Sequence, residues 1–442
     1  MSERTERPAG TGTTLSRRRR RPITAVPDAP RWSMWLAIIG FALMMPLVIL
    51  GPAMTNGDIY VPAGTRELGY AAVLLLAIVA TRPWKHPERL LVVPWPLLLA
   101  LGYCWFSLTW ALDVGVGLRR LGLTTMVLWS VFALVRQLGM ERSILVVRIA
   151  LVVTLAINIL VSLLYPEIGI QRGEDPLLGE GWRGIMGQKN FTGFTTAMAI
   201  LFFAFDRGKV HLEIRAAVIV VGAVYLYLTD SETSQIMCVV ALVFGGLFEL
   251  LARSRGREQL APPVVAWIPW IALGLLFLHI AYNPAVYFEM LSDPGGFTGR
   301  TQIWTALIKA YVDYPWRGLG YAAFWEGGPD GPVFRYATGW VTAITQGHNG
   351  YLDLLVQIGI PGTMIVLFAV LVWPLQRLLR GGNDPVRPLA AATFLFCLGH
   401  NFTESMLFDR DALSQVFLMI ALALLWAATA TGVEQKRAFS GR

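Results

Sequence analysis

Charge is scarce in this sequence. Asp, Glu, Lys and Arg make up 15% of the 442 residues, against 55% that are hydrophobic, and the mean hydropathy is +0.54. That balance excludes an ordinary water-soluble domain. Cysteine is almost absent: Cys104, Cys238 and Cys397 each stand alone in an apolar stretch. There is therefore neither a disulfide framework nor a zinc spacing, and all three read as small core hydrophobes. Walker A, HExxH and GxSxG patterns are missing, which removes the phosphate-loop, zinc-hydrolase and nucleophile-elbow readings. No half-to-half repeat is visible, and this counts against a carrier built from duplicated halves. Although the net charge is +8, the basic residues fall in short clusters between apolar segments and never form a stripe, so nucleic acid is not an expected partner.

What the chain has in abundance is apolar length. Spans are expected at 34–51, 66–81, 92–112, 119–135, 143–164, 190–205, 215–229, 234–251, 263–282, 356–376, 387–403 and 413–430, giving an all-α polytopic membrane protein of about twelve helices. Residues 1–30 are rich in Thr, Pro, Gly and Arg and are expected to be a disordered cytoplasmic tail. The run Arg17–Arg21 precedes an apolar stretch without a convincing cleavage site, so it reads as a polybasic flank of a retained first helix that also touches anionic lipid.

Orientation follows from the cations. With the amino terminus inside, 25 of the 37 Lys and Arg fall on the inner side, 11 on the outer side, and Arg148 within a span. Both termini are then cytoplasmic, and residues 283–350 form one large outer loop. A second outer loop, 165–189, holds QRGEDPLLGEGWRGIMGQKN.

The outer loops collect the candidate chemistry. TQIWTALIKAYV carries Ile303, Trp304, Leu307, Ile308 and Tyr311 at roughly helical spacing, an amphipathic helix near the membrane surface. Arg300 stands at its start. A guanidinium beside free helix amides suits a phosphate or diphosphate, while a local ion pair with Asp293 is the structural alternative. His348, in GHNG just before the helix near Tyr351, is either a neutral general base prepared by the helix terminus or a capping and packing histidine beside Asn349. Asp353 is placed to orient that ring only through a poor five-residue spacing. Arg183 and Lys189 flank a Gly-rich segment and suit either an anionic ligand or lipid headgroups and the acidic loop residues Glu174, Asp175 and Glu180. Arg119 and Arg120 open the fourth span from outside against the charge rule, as functional or as snorkelling groups. Asp409-Arg410-Asp411 matches a DxD metal-sugar-nucleotide pattern, but reads as a surface turn.

Four segments, WRGIMGQKNFTG, LTDSETSQ, FTGRTQIWTALIKAYVDYPWRGLGYAAFW and GHNGYLDLLVQIGIPG, resemble in order and separation the O-antigen ligase and polymerase superfamily of bacterial membrane glycosyltransferases. The GRTxIW and GxGYxxFW blocks look most like its ExoQ-like exopolysaccharide-polymerase branch. The resemblance runs from about residue 180 to 405. It divides the chain into the tail 1–30, N-terminal helices 31–182, a catalytic region 183–405, and a last helix with cytoplasmic tail, 406–442. It implies transfer of a glycan from an undecaprenyl-diphosphate carrier to an acceptor hydroxyl in the bacterial inner membrane, with no metal, nucleotide or other cofactor. The family's outer-face histidine and arginines would correspond to His348 and Arg300 as catalytic residues. Arg183, Lys189, Asn349, Arg317, Arg120 and Glu404 form the expected substrate-binding set. Many relatives carry a histidine where this chain has Gln188. The lipid bilayer, the lipid-linked oligosaccharide and the glycan acceptor are the expected partners, with a flippase and a chain-length regulator beside them. Three readings remain open at this point: polymerase, ligase moving a finished glycan to lipid A core or another acceptor, and lipid or solute transporter.

Overall fold

The computed structural model describes residues 29–55, 62, 64–172, 179–206, 208–255, 271, 275, 279, 299–325, 331–380 and 384–429. The basic tail with Arg17–Arg21, nearly all of the ninth expected span, Asp293, Glu174 and Asp175 lie outside the described residues.

A helix stands at every other expected span. In chain order these are α1 (Arg31–Thr55), α2 (Thr65–Thr81), α3 (Trp95–Ser107), α4 (Val114–Leu138) and α5 (Met140–Leu164), followed by a single turn α6 (Pro166–Gly169). Then come α7 (Lys189–Ala204), α8 (Leu212–Leu228) and α9 (Glu232–Arg255), the loop helices α10 (Arg300–Asp313) and α11 (Val333–Tyr336), and α12 (Gly350–Leu367), which a π-helical turn joins to α13 (Trp373–Arg380). The last are α14 (Arg387–His400) and α15 (Leu413–Thr429). Among the described residues the only ladder is an antiparallel pair of two-residue strands, Ile170–Gln171 with Gly181–Trp182. Among the described residues five helices are long and apolar enough to cross a membrane by length and composition. The protein is an all-α, multi-pass membrane protein.

Helix composition explains the layering. Leu413 to Leu425 on α15 are all buried, as expected of a helix apolar on every side that occupies the centre of a bundle. On α5 and α8, by contrast, Leu145, Ile149, Val153, Leu160, Val220 and Val224 are exposed. Such apolar side chains are solvated by lipid tails, so the outward faces need no polar cover.

A second, smaller core forms beyond the bundle. Ile303, Leu307, Leu319, Phe324, Trp325, Val333, Val341 and Val356 pack together, so the large loop is a folded unit seated on α12. The seat is a break in that helix. Gly359 adopts φ 66 ahead of Pro361, and the freed carbonyls of Val356 and Gln357 accept the amides of Leu319 and Gly320 at 2.9 and 2.8 Å. Irregular backbone in a membrane helix survives where protein groups satisfy it, and the loop supplies them here. A Cβ at 359 would collide with the Trp316 carbonyl.

Contacts gather the helix ends on one side. Arg66 at the start of α2 reaches Asp411 before α15. Asn190 at the start of α7 reaches Glu404 after α14, and Gly350 at the start of α12 reaches the carbonyls of Asn401 and Glu404. These are the loops that charge bias assigns to the outer side.

Candidate active site

The site is built where α12 begins. Asn349 caps the helix: its Oδ1 accepts the amides of Tyr351 at 3.1 Å and Leu352 at 3.0 Å, satisfying two of the free N–H groups at the terminus. Its own amide donates to Ser405 Oγ at 2.9 Å. A Cβ on Gly347 would run into Asp353, and one on Gly350 into the Asn401 side chain. Close approach therefore accounts for both glycines around the His-Asn pair. Between them His348 takes a left-handed φ of 48°, a conformation costly for a residue with a β-carbon and persistent only where the surroundings enforce it.

That backbone aims the ring at a buried carboxylate. His348 Nδ1 lies 3.5 Å from Glu404 Oε2, and Arg300 Nη2, on the first residue of α10, lies 3.5 Å from Oε1. Trp304 ties α10 to the histidine loop by donating from Nε1 to the Gly347 carbonyl at 3.1 Å. Glu404 is only 1% exposed. Burial alone would raise its pKa, but His348, Arg300 and His400 together hold it down at about 2, so it carries a full negative charge at neutral pH.

A polar chain anchors the same carboxylate. Asn190 Nδ2 donates to Glu404 Oε1 at 2.9 Å, and Asn190 Oδ1 accepts from Ser231 Oγ at 3.2 Å. Ser231 Oγ lies 2.9 Å from Ser234 Oγ, which stands 3.2 Å from His400 Nε2. The contacts with His348 and Arg300 are long for hydrogen bonds. Among the described residues His348 Nδ1 and Glu404 Oε2 have no hydrogen-bond partner. A cation, an imidazole and a carboxylate thus face one another at a spacing that leaves room for adjustment.

The expected residues divide into groups. His348, Arg300 and Glu404 come together, with Asn349 alongside as the cap. Glu404 is buried and faces both of the others at 3.5 Å. Lys189 is buried, with Nζ donating to the Glu180 carbonyl at 2.7 Å and pairing with Asp230 at 3.0 Å. Its ammonium is thereby committed to holding the 165–189 loop. Arg183 donates from Nε to the Ile168 carbonyl at 2.9 Å and from Nη1 to that of Gly187 at 3.4 Å, which folds the guanidinium back on its own loop. Arg317 is exposed, and its carbonyl accepts from Trp110 Nε1 at 3.0 Å. It lies at the α12 break and not at the cluster. Arg120 keeps company with Asp409, Arg410 and Tyr321.

Asp353 does not orient His348. Its two oxygens accept Trp325 Nε1 at 2.7 Å and the Gly347 amide at 2.9 Å, fixing the loop before the histidine. Asp409-Arg410-Asp411 is a turn, but only its first two residues are partly exposed; Asp411 is 5% exposed and its two oxygens accept from Arg66 Nη2 at 2.6 and 2.7 Å. The DxD-like spacing places these acids against arginines. Among the described residues no group of three His, Cys, Asp and Glu could hold a metal ion. Sequence reasoning missed Asn190, although it directly follows Lys189 in the GQKN motif. It also missed the part played by Ser231 and Asp230, whose signal was the LTDSETSQ segment already set apart by resemblance.

Residues 217–367 match the family described as O-antigen ligase. That segment is similar to O-antigen ligases. The match spans about a third of the chain and supports membership of the O-antigen ligase and polymerase superfamily. It includes Arg300, Arg317, His348 and Asn349, whereas Arg183, Lys189, Asn190 and Glu404 fall outside it. No curated protein matches the chain. The match points to the coarse class of membrane glycan ligases and polymerases, which are glycosyltransferase-like enzymes.

Proposed function

We propose that the protein transfers a glycan from an undecaprenyl-diphosphate carrier to a sugar hydroxyl on the outer face of the bacterial inner membrane. It joins repeat units as the ExoQ-like polymerases do. Both termini lie in the cytoplasm, twelve helices cross the bilayer, and a flippase and a chain-length regulator work beside it. The observation that carries this reading is the convergence of Arg300 and His348 on the buried Glu404.

The roles follow from that arrangement. Arg300 binds the diphosphate and offsets the negative charge that grows as the anomeric C–O bond breaks and its electron pair passes to the phosphate oxygen. Glu404 faces Nδ1 of His348, fixes the orientation of the ring, and leaves Nε2 to take the proton of the acceptor hydroxyl as its oxygen bonds to the anomeric carbon. In-line attack inverts that centre. Arg183 adds a second guanidinium on the neighbouring loop. Charge stabilisation by arginine stands where other glycosyltransferases use a metal.

Purified protein with lipid-linked oligosaccharide tests the scheme. His348→Ala and Arg300→Ala should each stop transfer, and EDTA should leave it intact; near-normal turnover by both variants, or loss with EDTA, overturns it. The family description favours a second reading, transfer of a finished glycan to another acceptor. A deletion strain separates the two. Single repeats left on the carrier indicate a polymerase, and long chains accumulating there indicate a ligase.

A further inference from the structure

A cavity of about 140 Å3 lies beside the Glu404 cluster. Three chain segments contribute to both. Gln188 lines the cavity and Asn190 holds Glu404; Gln346 lines the cavity and His348 faces Glu404; Ser405 lines the cavity and follows Glu404. The cavity therefore opens next to the imidazole without sharing its charged groups.

Its walls have a different chemistry from the cluster. The charges are matched in pairs, Arg66 with Asp411 at 2.6 Å and Arg410 with Asp409 at 3.2 Å. Two amides, Gln188 and Gln346, and two hydroxyls, Thr345 and Ser405, complete the polar lining, and Phe191 and Leu413 provide apolar surface. Gln188 Oε1 is buried and has no hydrogen-bond partner among the described residues. Matched ion pairs do not attract a diphosphate, but their outer lone pairs and N–H groups, with amides and an aromatic edge, suit a ring bearing many hydroxyls. A cavity of roughly 150 Å3 accepts a benzene-sized ring, and this one is open on one side, so the hydroxyls of a pyranose can extend past its rim.

We propose that this cavity binds the terminal sugar ring of the glycan acceptor, presenting its hydroxyl to His348. Gln188 and Gln346 serve as hydrogen-bonding residues, and the Arg66–Asp411 and Arg410–Asp409 pairs form the polar walls. The assignment to the acceptor rests on the glycosyl-transfer reading above, since Gln346 and His348 sit two residues apart on one loop and the base acts on the acceptor. The binding of a sugar ring does not depend on it.

The test uses the full-length protein in lipid nanodiscs. The probe is the oligosaccharide released by mild acid from the lipid-linked material of a deletion strain, so that no diphosphate is present. Wild type and Arg300→Ala should bind it equally, and Gln188→Ala/Gln346→Ala should bind at least about tenfold more weakly. Gln346→Trp, which fills the cavity from a loop position, should block the probe and guards against misfolding of the double variant. In transfer assays the double variant should raise KM for the acceptor about tenfold, with kcat and the donor KM held within about twofold. Undiminished binding by both variants overturns the proposal, and a rise in the donor KM alone overturns the acceptor assignment. Binding that depends on Gln188 in a protein that transfers nothing would sink the catalytic reading while upholding the cavity.

Discussion

Two buried charge clusters in this molecule are built from the same residue types and differ in fit. At the end of the bundle that charge bias assigns to the inner side, Arg148 on α5 pairs with Asp206 at 2.7 Å and donates from Nε and Nη2 to the Phe202 carbonyl at 2.9 and 2.7 Å. Asp206 in turn accepts the amides of Lys209 and Val210. At the outer end Arg300 and His348 both stand 3.5 Å from Glu404, and one carboxylate oxygen lacks a hydrogen bond among the described residues. The inner cluster closes on itself, which is what a buried pair needs if it is only to hold helices together. The outer one keeps its cation and its imidazole at arm's length from their counter-charge. On the proposed reading, a diphosphate and a hydroxyl would engage them without first breaking short bonds.

Substitutions should separate the clusters by what they damage. The largest effect is expected from His348→Ala, which should lower kcat by about 10²- to 10⁴-fold without moving the thermal midpoint by more than a few degrees. Arg300→Ala should follow, with a loss of about 10²- to 10³-fold; Arg300→Lys should recover little of it, because an ammonium cannot make the two-pronged contact. Asp206→Ala should do the reverse. It strands a buried guanidinium, so unfolding should become easier by about 3 to 5 kcal/mol while turnover per folded molecule is kept. A thermal melt beside an active-site-normalised assay would decide, and turnover lost at unchanged stability would erase the contrast.

Glu404 supplies a pH test. Its carboxyl, held at about 2 against an ordinary 4.5, contributes stability that is fully present above about 4.5 and lost as pH falls towards 2. Melts taken across that window should show a steeper decline for wild type than for Glu404→Gln, and parallel curves would contradict the burial of an ionised Glu404. The smallest effect is expected from Lys189→Met. Its partner Asp230 is 70% exposed on the side chain, so the pair should contribute below about 1 kcal/mol. Transfer should fall by no more than the folded fraction does.

Much of this was legible in the chain. The apolar runs placed the helices because a lipid-facing segment must satisfy its backbone internally and show apolar side chains outward. Leu145, Ile149 and Val153 on α5 do this. Arg300 and His348 were found because charged residues in an oily chain are few, and their loops fell on the same side. Asn190, Ser231 and Glu404 were harder to place, since they are polar residues of ordinary type joined only by contacts across 41 and 214 positions. The ion pairs of Lys189 and Asp411 were not legible either, because their partners Asp230 and Arg66 are close in space but distant in sequence.

The sequence by itself determined the solvent, the helices and the end of the bundle at which polar groups collect, because hydropathy and charge are properties of each segment taken alone. Only the tertiary structure decided which polar groups meet. Whether a buried charge is closed or held open depends on differences of about an ångström between side chains from separate helices, and nothing local in the chain encodes that distance.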